Sequence, residues 1–252
     1  MKFFIWFFCF IKFLSPCFPQ KTGNNIIGGN PAQIPILCYH NVKDKIGKDI
    51  SYFITPEKFE SQIKALKNEG YVSVLPEDIY QHLTNKKPLP LKSVMFSFDD
   101  TRTEHFHTVA PILEKYGFKG TFFIMTVAIG KNNYMTKKEI RALADKGHCI
   151  GHHTWDHQDL RKLPLSEWTK QIDKPKIQLE AITGKEVSAL AYPFGLCNDF
   201  AVQELKKRGL KMAFQLSGKR DQKEPLYTIR RILVPGNWSG KKLLKQISVS
   251  FQ

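Results

Sequence analysis

The sequence predicts an α/β protein, a distorted (β/α) barrel of about seven to eight strands in a single domain. Two observations carry this expectation. Short apolar runs alternate with amphipathic helical patterns from residue 34 almost to the C-terminus, the signature of a mostly parallel sheet. The 252-residue chain also suits one such barrel, since these domains run to roughly 200–250 residues without splitting. An open doubly wound sheet is the alternative. Neither G-x-G-x-x-G after the first strand nor G-x-x-x-x-G-K-[ST] anywhere occurs, so nucleotide cofactors lose support.

The elements follow in order. Residues 34–39 form a short apolar run, as a buried strand should. Thr55-Pro56-Glu57 opens a helix with a Thr cap, Pro in the first turn and Phe59, Ile63 and Leu66 on one face; Gly70 stops it. Further strands are expected at 71–74, 93–98, 120–124, 148–150, 188–192, 211–215 and 229–234. Between them lie helices such as 109–116, ended by Gly117, and 136–146, which starts with a Thr136/Glu139 capping box. Residues 166–182 read as helical, but Pro175 should kink or divide them.

The N-terminus stands apart. Lys2 is followed by the apolar run Phe3 to Ile11, then Lys12, Ser15, Pro16 and Cys17. Residues 1–20 are therefore expected to be a signal peptide or hydrophobic N-terminal segment, too short to span a bilayer alone, followed by the domain at 31–252. Export to the cell envelope or beyond is implied. An uncleaved hydrophobic tail is the other reading. Beyond this segment remain Cys38, Cys149 and Cys197, an odd number beside apolar stretches, which suggests buried free thiols.

The formal charge is +15, and removing residues 1–20 takes away only Lys2 and Lys12, so the bias belongs to the domain. It fits residence near an anionic surface such as a cell envelope. Basic residues such as Lys43, Lys48, Lys86-Lys87, Lys137-Lys138 and Lys206-Lys207-Arg208 are dispersed and tied to no recognition motif. Nucleic acid is therefore not expected as a partner.

In α/β barrels, catalytic groups gather at the C-terminal ends of the strands. The third expected strand runs into Asp99-Asp100, two adjacent carboxylates that repel unless a cation or proton sits nearby. A solvated pair capping the next turn is the plainer reading of this feature alone. The fifth leads into His152-His153-Thr154-Trp155-Asp156-His157. His153 and His157, four apart, would share one face of a helical turn within reach of one metal ion. Thr154 stands where a zincin has its Glu base, which argues against that class. The first strand ends at Tyr39-His40, the sixth at Tyr192-Pro193-Phe194-Gly195. Structural accidents would scatter over both strand ends; these features share one.

Ser97-Phe98-Asp99-Asp100, His153-Thr154-Trp155-Asp156-His157 and Ala191-Tyr192-Pro193-Phe194-Gly195 resemble, in order, the first three motifs of the polysaccharide deacetylases (NodB homology domain, carbohydrate esterase family 4). The resemblance covers roughly residues 34–240. The early Tyr39-His40 looks like the branch related to poly-N-acetylglucosamine deacetylases, in which the catalytic histidine precedes the other motifs. Three departures stand out: Thr101-Arg102 follows the Asp pair where Gly is usual, His152 replaces a common Ser or Asn, and the third motif lacks its initial Arg. Arg231 from the last strand could supply that charge.

The resemblance implies a metal-dependent hydrolase removing N-acetyl groups from an N-acetylglucosamine-containing polysaccharide. Asp100, His153 and His157 would hold the metal, zinc by preference, and Asp99 would be the general base. His40 would protonate the departing amine, with a neighbouring carboxylate keeping it charged at neutral pH. Tyr192, Pro193, Phe194 and Arg231 would serve substrate and transition state, with an oxyanion donor from the Tyr192–Phe194 backbone. The competing function is a non-catalytic carbohydrate-binding module on the same barrel, which would need Tyr192, Phe194 and Trp238 but no intact base and metal set.

Overall fold

The computed structural model describes Met1 and residues 33–44, 50–216 and 218–251. The expected N-terminal segment, Met1 apart, lies outside them. The chain runs β1 (Ile36–Tyr39), β2 (Asn41–Val42), β3 (Phe53–Ile54), α1 (Pro56–Asn68), β4 (Val72–Ser73), α2 (Pro76–Asn85) and β5 (Ser93–Phe98). It continues through α3 (Ala110–Lys115), β6 (Gly120–Ile124), α4 (Lys137–Asp145), β7 (Cys149–His152), α5 (Lys174–Thr183) and β8 (Ala189–Ala191). The last elements are α6 (Asp199–Lys207), β9 (Met212–Gln215), β10 (Ile229–Arg230), β11 (Ile232–Leu233) and α7 (Gly240–Ser250).

The main sheet is parallel and almost closes, in the order β10-β9-β8-β7-β6-β5-β1-β11. The barrel expected from strand–helix alternation is therefore present. Its closure has a specific cause. β10 and β11 are one extended segment interrupted at Arg231; its first half pairs with β9 and its second half with β1. The expected single strand at 229–234 is thus divided, because it changes partner at the residue that turns into the barrel. β4 shares an edge of β5 with β1, pairing at Ser93 and Val94 before β1 takes over at Met95.

Burial on both faces follows from the parallel arrangement, and the period of two sorts the side chains. Ile36, Met95, Phe123, Ala189, Met212, Phe214 and Ile229 form one apolar cluster. The alternate positions, such as Leu37, Phe96, Phe98, Phe122 and Ile124, pack with Phe59, Leu113 and Ile140 of the helices. Cys38, Ser97, Asp99 and Arg231 have the parity of the first set, so the register that fills the barrel also aims these polar groups inward. Gly151 leaves room there: a Cβ would lie 2.5 Å from the Phe123 ring.

The caps at Thr55 and Thr136 form as expected, the latter with both halves of its capping box. Two helices begin differently from expectation. α3 is preceded by a π-turn, His105–Val109, and α5 by another, Thr169–Asp173. Each lies just before a helix whose second residue is a proline, Pro111 or Pro175. A proline inside a helical run has no N–H for the carbonyl four residues back and clashes with it; widening the turn relieves both. The division expected at Pro175 is this π-turn.

Candidate active site

The ends of β1, β5, β7 and β8 and the seam at Arg231 bring the charged and imidazole groups together. Asp99 is almost fully buried and accepts a forked pair of hydrogen bonds from the Arg231 guanidinium, at 2.7 Å to Oδ1 and 2.9 Å to Oδ2. Arg231 also donates to Ser97 Oγ at 3.2 Å. Burial opposes ionisation of Asp99, but Arg231 first and His153 next outweigh it, holding the carboxyl well below the usual carboxylate range. The charge that the third motif lacks reaches Asp99 from 132 residues further along the chain.

Asp100 turns away because its backbone is left-handed, at φ 77°, and Thr101 follows at φ 62°. A β-branched residue is strained there, which gives a reason for glycine at this position in relatives of the motif. Thr101 is held by its hydroxyl, which accepts from Met125 N at 2.7 Å and donates to Met125 O at 3.2 Å.

His153 and His157 are not on a helix. Thr154 and His157 both have positive φ, 64° and 68°, and the segment is an irregular turn. Local hydrogen bonds outcompete the helix: His157 N donates to Thr154 Oγ1 at 2.9 Å, and Thr154 N donates to His152 Nδ1 at 2.8 Å. The two imidazoles still converge, with ring centroids 4.9 Å apart. His153 Nε2 lies 3.6 Å and His157 Nε2 3.9 Å from Asp100 Oδ1.

His153 decides whether a cation fits. Its Nδ1 lies 2.8 Å from the Ala191 carbonyl, which can only accept, so Nδ1 carries the proton and the neutral ring has its lone pair on Nε2. That Nε2 is buried without a hydrogen-bond partner. Burial lowers the His153 pKa, yet Asp99 and Asp100 together more than reverse this, so the local field favours positive charge. One carboxylate oxygen and two imidazole nitrogens within 4.8 Å of one another make a donor set suited to a borderline divalent metal. Among the described residues a second such group exists, Cys38, His40 and Asp99. Its carboxylate is already claimed by Arg231, and burial pushes the Cys38 thiol up. The first group fits a metal better.

His40 sits at the rim of the same pocket, Nε2 3.9 Å from Asp99 Oδ2, with Tyr52 edge-on at 4.9 Å. Burial first, with Arg231 and His153, lowers its pKa against the opposing pull of Asp99 and Asp100. The expectation that a carboxylate would hold it charged at neutral pH is therefore corrected: desolvation and the neighbouring positive groups together prevail. His105 is buried, and its Nε2 lies 2.6 Å from the His40 carbonyl; His107 lies outside the pocket, paired with Glu139.

The Tyr192–Phe194 loop divides its roles. The Tyr192 ring is buried in the cluster of Leu160, Trp168 and Leu205, and its amide donates to Phe214 O at 3.0 Å. Neither is placed to meet a substrate, because both are committed to the fold. Pro193 has no N–H, which leaves the Phe194 amide as the loop's candidate donor. The Phe194 ring is 58% exposed, stands on a left-handed backbone (φ 61°) and packs 4.6 Å from the His157 ring. Gln171 and Cys38 escaped the reading of the motifs. Cys38 lies two residues before His40 on the same strand face, and its Sγ is 3.6 Å from Asp99 Oδ2.

A buried, ionised carboxylate beside an acid–imidazole cluster is the equipment of a hydrolase, which a sugar-binding scaffold would not need. The polysaccharide deacetylase family profile matches residues 86–213. A poly-β-1,6-N-acetyl-D-glucosamine N-deacetylase of Staphylococcus aureus (strain MRSA252) is 33% identical over 200 residues, 73% of this chain and 68% of that one. The structure of the Streptococcus pyogenes deacetylase PplD in complex with acetate superposes with a TM-score of 0.80 at 27% identity, covering 86% of this chain and 99% of that one. IcaB from Ammonifex degensii shares the fold, with a TM-score of 0.73 at 23% identity over 86% of this chain and 97% of that chain. The chain belongs to the polysaccharide deacetylase family, carbohydrate esterase family 4, and is a hydrolase of linear amide C–N bonds.

Proposed function

We propose that this chain removes N-acetyl groups from an N-acetylglucosamine-containing polysaccharide, with a divalent metal, zinc by preference, held by Asp100, His153 and His157. The observation that carries the reading is the buried, unpartnered His153 Nε2 facing Asp100 and His157 in a field that favours positive charge. The family relationship to the staphylococcal N-deacetylase supports the substrate class, and the acetate in the PplD structure is the product such a reaction releases. When bound, the metal would act as a Lewis acid, acidifying water and polarising the acetamide carbonyl.

The residues of the chain do the rest. Asp99, kept ionised by Arg231, accepts the proton of the attacking water. His40 is neutral before turnover, so it collects its proton from the side of Asp99, 3.9 Å away, and delivers it to the departing amine. The Phe194 amide would donate to the developing oxyanion, and the exposed Phe194 ring offers an apolar face for a sugar. Residues 1–20 would export the enzyme, and its net charge of +15 would favour contact with an anionic envelope. The test is acetate release from poly-N-acetylglucosamine, chitin oligomers and peptidoglycan, before and after chelation and with zinc restored. Release from none of them with zinc present refutes the substrate assignment; release unaffected by chelation refutes the metal.

A further inference from the structure

The irregular turn that carries His153 and His157 is gripped from outside by three consecutive residues of the π-turn Thr169–Asp173. The Lys170 Nζ lies 4.4 Å from the centre of the Trp155 ring. The Gln171 Oε1 accepts from Trp155 N at 3.2 Å and from Asp156 N at 3.5 Å, while its Nε2 donates to Asp156 Oδ1 at 2.7 Å. The Ile172 carbonyl lies 2.9 Å from His152 Nε2. Since that carbonyl accepts, His152 Nδ1 is free of its proton to accept from Thr154 N.

Gln171 is 1% exposed and lies on a segment that would otherwise be an ordinary helix. Its amide spends both donor and acceptor on the loop between the two histidines, and neither on its own helix. A side chain that satisfies two consecutive amides between the left-handed residues Thr154 and His157 fixes the turn's conformation. That conformation sets the separation of the imidazoles at residues 153 and 157.

We propose that Gln171, with Asp156, is a positioning pair for the metal turn, presented to it by the π-turn that precedes Pro175. The inference rests on the metal reading above. It assigns no ligand to Gln171 or Asp156; both act through the backbone between the ligands. Groups outside the ligand set typically change metal affinity by about 10–100-fold, and that range is expected here.

The experiment measures zinc affinity of the full chain by competition with a chromophoric chelator, and the visible spectrum of the cobalt-loaded protein. Gln171→Leu keeps the volume and removes all three hydrogen bonds, so its affinity should fall by about 10–100-fold with an altered cobalt spectrum. Gln171→Glu should also weaken binding, because its carboxylate faces that of Asp156. Adding Asp156→Asn restores the reciprocal pattern: the Glu carboxylate accepts from both amides and from the Asn side-chain N–H. The double variant should recover affinity to within a few-fold of the original chain. A merely structural role would not produce that recovery in the cobalt spectrum. Affinity unchanged in Gln171→Leu, or a double variant no better than Gln171→Glu alone, overturns the proposal. Should Gln171→Leu fail to fold, the Glu variants decide the question. An original chain that binds no zinc, or that keeps it in His153→Ala, overturns the metal reading instead.

Discussion

Replacing Arg231 by Met should expose how much the ionic lock beneath the pocket contributes. The guanidinium is fully buried, donates twice to Asp99 and once to Ser97, and lies 5.4 Å from the Phe123 ring centre. Methionine fills much of the space but returns no charge. Removing one partner of a buried pair costs about 3–5 kcal/mol, because the other charge is left unpaired. In a domain of this size that is a fall in melting temperature of roughly 6–20 °C, at about 2–4 °C per kcal/mol. The sign of the pH dependence follows. In the original chain Asp99 is depressed, so its stabilisation is complete above the unfolded carboxyl value of about 3.9 and is lost only as pH falls below it. Without Arg231 the largest lowering contribution is gone while burial still opposes ionisation, so the carboxyl should rise and the variant should regain stability relative to the original chain as pH falls through the raised value. The gap between the two proteins should therefore narrow from pH 7 towards pH 5. Urea unfolding in excess chelator, followed by tryptophan fluorescence, measures it without interference from bound ions. Asp99→Asn added to Arg231→Met should recover most of the loss. A gap under about 1 kcal/mol at pH 7, constant with pH and unrelieved by Asp99→Asn, would refute the argument.

The remaining predictions are as follows. Replacing His153 or His157 by Ala should remove most of the bound metal, measured by elemental analysis; unchanged metal in both variants sinks the ligand assignment. Asp99→Asn should retain metal and lose nearly all acetate release, whereas Asp100→Asn should lose metal first; the opposite pattern reverses their roles. His40→Ala should lower turnover by about 10²–10⁴-fold with metal content intact, and near-normal turnover would mean that the amine takes its proton elsewhere. His105 and His152 are driven by burial to pKa values of about 4. Each is neutral in the fold but protonated when unfolded below about pH 6.5. The chelated protein should therefore lose up to about 3 kcal/mol per residue as pH falls from 6.5 to 4; His152→Asn should flatten part of that slope in pH-dependent urea unfolding.

Where local chemistry dominates, the sequence was a good guide. The apolar run Ser93–Phe98 and the capping box at Thr136 form within the bounds expected, because strand burial and cap hydrogen bonds depend on adjacent residues. Asp99, Asp100, His153 and His40 converge because each ends a strand of one parallel barrel. Spacing failed at His153 and His157: four residues suggested a helical turn, but Thr154, His152 and Gln171 bind its backbone into another shape. Gln171 was hidden because its partners are 15 and 16 residues away. Its one local trace is Pro175, which marks a disturbed helix without saying what the disturbance presents. Tyr192 read as a substrate residue because its motif does, yet the parity at the end of β8 turns its ring into the core.

The shared last strand also imposes an order of events. Leu37 pairs with Ile232, so nearly the whole domain must be available before the ring can shut, and closing so long a loop is slow relative to local helix formation. Asp99 meets Arg231 only in that step. A nascent chain that still lacks this segment has Asp99 without its counter-charge. Within the pocket, the contact between Asp99 and Arg231 therefore waits for the segment that closes the ring.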